Sequence, residues 1–234
     1  MIRNATLPDG HRHDIEIREG RIAAFLPPSD SEPGMLLLPP LVDGHIHLDK
    51  TLLGLPWVPN QAAGNAVADR IEAERKVRAG RTVSETETGA NLVRQVVATG
   101  TLHMRSHVDV DNQLGLKNLE AILAVRERFR DLVTIQIVAF PQGGIVRSPG
   151  TAELLDEAIA QGADLLGGLD PLGIDQDLKG HLDALFGIAG KRGVGIDIHL
   201  HDGGESGTTF YFTLPVAGKA SGARRQSPNI SLRG

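Results

Sequence analysis

The chain has 234 residues, 41% of them hydrophobic, enough to bury the core of one large domain or of a domain with an appendage. A net charge of -5 without a long basic run, with 3% aromatic residues, provides neither a nucleic-acid-binding surface nor a base-stacking platform. Cysteine is absent, which excludes disulfides, thiolate catalysis and cysteine-ligated zinc, so any metal must sit on histidines and carboxylates.

Residues 1–38 read as a small N-terminal β segment. Asp9-Gly10 and Glu19-Gly20 are turn signals flanking the alternating Asp14-Ile15-Glu16-Ile17, and Arg21-Ile22-Ala23-Ala24-Phe25-Leu26 follows. No apolar signal core or membrane-length run is present, so a cytoplasmic location without a membrane partner is expected.

Pro39-Pro40 then lead into Leu41-Val42-Asp43-Gly44-His45-Ile46-His47-Leu48-Asp49-Lys50. Alternate side chains of a strand share a face, so His45 and His47 project together, and two neutral imidazoles on one face can grip a divalent cation. A bare H-x-H is more often a pair of half-exposed strand-end histidines; histidines at later strand ends favour the metal reading here. A long polar connection follows to a helix near Val67–Ala79. Its Trp57 either walls a substrate pocket or packs the loop onto the domain.

The next stretches repeat one unit. Ala90, Val93, Val96 and Val97 recur at helical spacing before Gly100, and Thr101–Val108 reads as a strand with His107 and Asp109 on one face at its end. Leu116, Leu119, Ile122 and Leu123 mark a helix before the strand run Leu132–Phe140. Thr151 is expected to cap a helix that stops at Gly162; Leu165–Leu169 is the next strand. A helix through Leu178, Leu182, Leu185, Phe186 and Ala189 stops at Gly193, and Val194–Leu200 is a fifth strand.

Strands alternating with helices predict a parallel sheet, and polar residues gathered at strand carboxyl ends predict the mouth of a β/α barrel. A doubly wound open sheet is the alternative, although no G-x-G-x-x-G follows a strand. Three further βα units at about 30 residues each do not fit after Glu205. The expected fold is therefore α/β: a partial (β/α)8 TIM barrel of about five units over 39–205. A tail over 206–234, unrelated to the barrel, is expected to hold one strand and then disorder. Its Gly207-Thr208-Thr209-Phe210-Tyr211-Phe212-Thr213-Leu214-Pro215 resembles the closing strand of a sensor histidine kinase ATP-binding domain, which makes an ATP-binding module a remote alternative. An open sheet exposes an edge, so homo-oligomerisation is expected.

The string Pro39–Lys50 resembles the first barrel strand of the amidohydrolase superfamily, in its cytosine deaminase-like branch. Arg105-Ser106-His107-Val108-Asp109-Val110, Gln136-Ile137-Val138-Ala139-Phe140-Pro141-Gln142-Gly143-Gly144-Ile145 and Asp197-Ile198-His199-Leu200-His201-Asp202 match it in the same order, up to about Glu205. The resemblance implies one divalent metal ion, zinc or iron, held by His45, His47 and a strand-five histidine, with His199 preferred over His201. It gives His107 and Asp109 supporting hydrogen bonds. The implied reaction is attack of a metal-generated hydroxide on a ring carbon bearing an exocyclic amine. Asp202 stands where cytosine deaminases carry the proton-shuttling Glu, with Glu205 in reserve, and Gln142 matches the residue that reads the substrate ring. The implied partner is a small heterocycle, cytosine-like. The family's strand-six His and strand-eight Asp have no counterpart, so an inactive fragment and a cyclic amide hydrolase remain alternatives. The lack of cysteine excludes the zinc deaminase class built on Pro-Cys-x-x-Cys.

Overall fold

The computed structural model describes residues 1–29, 34–59, 62–64, 67–200 and 210–214. Its N-terminal sheet is antiparallel, with β1 (Ile2–Thr6), β2 (Arg12–Arg18) and β3 (Arg21–Leu26) in that order. Glu19 and Gly20 both take positive φ, 50° and 73°, as a two-residue type I′ hairpin requires.

The second sheet carries the site. β4 (Leu41–Ile46), β5 (Thr101–Asp109), β6 (Thr134–Phe140), β7 (Leu165–Leu169) and β8 (Gly195–Leu200) run parallel in sequence order. β9 (Phe210–Leu214) pairs antiparallel with β8. Parallel neighbours need crossovers. These are α1 (Val67–Ala79) with α2 (Glu85–Ala98), then α3 (Lys117–Arg128), α4 (Thr151–Gln161) and α5 (Leu178–Arg192).

Because strand order equals chain order, each crossover steps the same way, whereas a doubly wound sheet reverses at a switch point. That alternative is excluded. The sheet is also strongly curled. The rings of His45 on β4 and His199 on β8 have centroids 5.1 Å apart. Four strand spacings of about 4.8 Å would hold those strands about 19 Å apart in a flat sheet. The structure is a curled half of a β/α barrel with a small antiparallel sheet before it.

Helices and strands bury a shared apolar layer that includes Leu48, Val93, Ile122, Ile137, Leu166 and Leu185. β7 is buried along its whole length. A Cβ on its Gly168 would lie 2.8 Å from the side chains of Ile198 and Leu185, so glycine lets strand and helix approach this closely. Ser84 caps α2, its side chain accepting from the Glu87 N–H. The start of α4 departs from the sequence expectation. Its N-cap is Gly150 at φ 88°, without a side-chain cap, and Thr151 is buried one position inside the helix. A left-handed entry needs glycine, which moves the cap one residue earlier.

α1 is built differently. Among its described side chains only Ile71 is buried. Ion pairs from Glu74, Arg75 and Arg78 to Lys50, Asp111 and Asp109 hold it against the strand ends instead. No helix among the described residues is long and apolar enough to cross a membrane.

Candidate metal centre and pocket

Five parallel strands deliver their carboxyl ends to one place, and four histidines arrive there. His45 and His47 come from the end of β4, His107 from β5 and His199 from β8. One ligand nitrogen each from His45, His107 and His199 lies within 4.8 Å of the other two, a spacing from which small side-chain rotations reach the about 2.1 Å expected between imidazole nitrogen and a divalent ion. His47 stands beside them, its ring centroid 5.0 Å from His45 and 5.7 Å from His107.

The tautomer of His47 follows from its partner. Its Nδ1 lies 2.9 Å from the His107 carbonyl oxygen, which only accepts, so Nδ1 carries the proton and Nε2 keeps its lone pair. Burial lowers the pKa of His47 to about 2, with Lys50 and the neighbouring imidazoles acting the same way. Burial, then His107, lowers His45 to about 4. Both rings are neutral near pH 7, the form that binds metal.

Beneath the histidines lies a polar brace. His107 Nε2 is 3.4 Å from Asp197 Oδ1, and Arg105 donates to the other Asp197 oxygen at 2.6 Å and to Gln136 at 2.8 Å. Burial pushes the Asp197 carboxyl up, but His107 and Arg105 outweigh it and hold it below the usual carboxylate range. Arg105 stands on β5 and Asp197 on β8, so their contact spans the concave face past two intervening strands.

Above the histidines is a cavity of about 260 Å³. His45, His47 and His199 line its floor, and Phe140, Leu169 and Ile71 supply apolar walls. His107 is not among its lining residues and is fully buried. Gln142, Lys50, Arg70 and Glu74 form the polar side, and an adjoining cavity of about 330 Å³ shares Ile71 and Gln142 with it.

Lys50 is the centre of a buried charge cluster. Its Nζ is 3.0 Å from Asp109 Oδ1, 3.6 Å from Glu74 and 3.0 Å from Gln142 Oε1. Burial lowers the Lys50 pKa, but Asp109, Asp49 and Glu74 outweigh it, so the ammonium is held above its usual value. Arg78 bonds the second Asp109 oxygen at 2.7 Å, while Asp49 accepts from the Asp109 N–H and from Asn118. Burial and then the Asp109 charge push the Asp49 carboxyl up.

Of the residues singled out in the sequence, the structure brings His45, His47, His199 and Gln142 to one cavity. Trp57 is 85% exposed and does not line it, so it neither walls this pocket nor packs into the loop. The turn at Gly54 (φ 85°) carries that segment out along the surface. His201, Asp202 and Glu205 lie outside the described residues. Sequence reasoning missed Lys50 and the α1 residues Arg70 and Glu74. Lys50 carried a signal, since it ends the same polar stretch as the H-x-H pair. The α1 residues had none, because only the fold sets that helix over the strand ends.

Comparison with known proteins agrees with this fold. A crystal structure of N-isopropylammelide isopropylaminohydrolase from Burkholderia multivorans ATCC 17616 is 46% identical, with a TM-score of 0.76 over 87% of this chain and 53% of that one. N-isopropylammelide isopropyl amidohydrolase of Pseudomonas sp. (strain ADP) is 32% identical over 224 residues, 88% of this chain and 54% of the relative. A 5-methylcytosine deaminase from Klebsiella pneumoniae, liganded with 5-fluorocytosine, is 29% identical with a TM-score of 0.67, over 85% of this chain and 50% of that one. The chain spans about half the length of the curated relatives it matches. Residues 33–213 match the model that defines the Amidohydrolase family, and this chain belongs to that family.

Proposed function

We propose that this half-barrel serves a metal-dependent hydrolase that removes an exocyclic amine from an amino-substituted N-heterocycle, cytosine-like in its ring. The observation that carries the reading is that His45 and His199, from separate strand ends, bring ligand nitrogens within 4.8 Å of each other at a cavity that His47 also lines and that has one amide-bearing wall. Relatives named for ammelide, methylcytosine and pterin chemistry support the substrate class.

His45, His47 and His199 are the proposed ligands, because all three line the cavity and Nε2 of His47 is left unprotonated by its bond to a carbonyl. His107 then acts from below, its Nε2 turned to Asp197. Imidazole donors suit zinc or divalent iron. Such an ion supplies Lewis acidity that makes water a nucleophile near neutral pH. The chain's own residues do the rest. Phe140 and Leu169 exclude water from a flat ring's faces, and Gln142 meets its polar edge. The proton passes to the leaving nitrogen through the carboxyl of Asp202, with Glu205 in reserve.

Metal analysis and ammonia release test the reading together. About one equivalent of zinc or iron, lost in His45→Ala and His199→Ala, is the expected result, with ammonia freed from cytosine or a related aminopyrimidine. Metal-free protein after purification with added zinc would overturn it. Bound metal without ammonia release would leave a binding half-barrel and overturn catalysis by residues 1–234 alone. Ring opening of a cyclic amide without ammonia would assign the other hydrolytic chemistry.

A further inference from the structure

The geometry points to Lys50 as a positioning residue that fixes which end of the Gln142 amide meets the substrate, and so sets the hydrogen-bond polarity the ring must present. The inference rests on the reading of the cavity as a heterocycle site. A primary amide ordinarily offers either a carbonyl or an NH2, and can swap them by a half-turn. Here the choice is made. Lys50 Nζ is 3.0 Å from Gln142 Oε1, and an ammonium has only donors, so the carbonyl must face it. Turning the amide over would set NH2 against NH3⁺.

Lys50 cannot move aside to permit that. Its side chain is 9% exposed, Asp109 beside it is 1% exposed, and Arg78 holds the far oxygen of Asp109 at 2.7 Å. The backbone of Gln142 is fixed as well: its N–H donates to the Phe140 carbonyl at 3.0 Å, and the Gly144 N–H closes a turn onto Pro141 at 2.9 Å. With Oε1 committed to Lys50, the Nε2 hydrogens are what Gln142 offers to a ring. Recognition therefore favours an acceptor there, a ring carbonyl oxygen or an unprotonated ring nitrogen, over a donor such as an amino substituent. A site built around a fixed donor rejects a ring that leaves it unpaired.

Calorimetric binding to the metal-loaded protein, independent of turnover, tests this with pyrimidin-2-one as the acceptor probe and aniline, whose ring has no acceptor nitrogen, as the donor probe. The expected result is a preference of about tenfold or more for the acceptor probe, on the scale of one mismatched polar contact. Lys50→Met frees the amide and should reduce that preference to about twofold, with metal content unchanged. Because Lys50→Met also strips a partner from Asp109, Gln142→Glu is the second variant. It keeps the Lys50 contact, replaces the donor by a carboxylate oxygen and should invert the preference. Equal affinity of the two probes in the unmodified protein, no binding of either, or an unchanged preference in Gln142→Glu would overturn the inference. Probe preference without ammonia release would leave it standing while the catalytic reading fails.

Discussion

At the scale of single residues, the distinction that matters is between histidines that face the cavity and the one beneath it. His47→Asn is expected to abolish stable metal binding, since it removes a nitrogen that lines the cavity with its lone pair exposed. His107→Asn should weaken binding about 10–100-fold, the usual effect of removing a group that orients ligands. Competition with a chromophoric chelator measures both. A pH effect follows from the same rings. The folded pKa of His45, about 4, lies below its ordinary 6.5, so below 6.5 the unfolded chain takes up the proton first. This contribution to stability is full above pH 6.5 and is lost as pH falls toward 4. Urea midpoints of chelator-treated protein at pH 7, 5.5 and 4.5 should fall accordingly, and more shallowly in His45→Gln. The H-x-H pair was legible in the sequence because period two alone puts both rings on one face. Lys50 was visible at the end of the same stretch but its role was not, since its partners Gln142, Asp109 and Glu74 stand on other elements and their approach is a product of the fold.

At the scale of elements, α2 and α1 show two ways of holding a helix. α2 buries Ala90 and Val93 under a Ser84 cap, so Ser84→Ala should cost about 1 kcal/mol in chemical unfolding. α1 has little apolar surface to contribute and depends on buried charge. Arg78 reaches Asp109 at 2.7 Å with 8% and 1% of the two side chains exposed, and Arg78→Met would leave that carboxylate short of a partner. About 3 kcal/mol of destabilisation is expected. Hydrogen exchange should rise first in α1, before the sheet. Repeating apolar periodicity made α2 to α5 readable from the sequence, and glycine stops at 162 and 193 marked two of their ends as left-handed caps. α1 was placed by sequence, but its anchoring was not, because ion pairs to distant strands leave no periodic trace. The cap of α4 was misplaced by one residue for a local reason: Thr151 has the right chemistry, but the chain enters through a left-handed Gly150.

At the scale of the whole molecule, chain order told how the strands would be laid down, and the curl of the sheet followed only from the structure. β4 is bonded on one side alone among the described residues, with Leu41 58% and Val42 71% exposed. Such an edge recruits another strand. Analytical ultracentrifugation is expected to show concentration-dependent self-association, and Val42→Lys should reduce it by placing a charge on that edge. The contact between Arg105 and Asp197 has a different bearing. It acts as a tie-rod across an arch: it joins β5 to β8 on the inner surface, so the sheet's radius is set in part by the reach of one guanidinium. Shortening the rod should draw the footings of the arch together or let them spread, and with them His107 on β5 and His199 on β8. The gape between those imidazoles is thus adjustable from underneath, by a residue that touches neither of the cavities above.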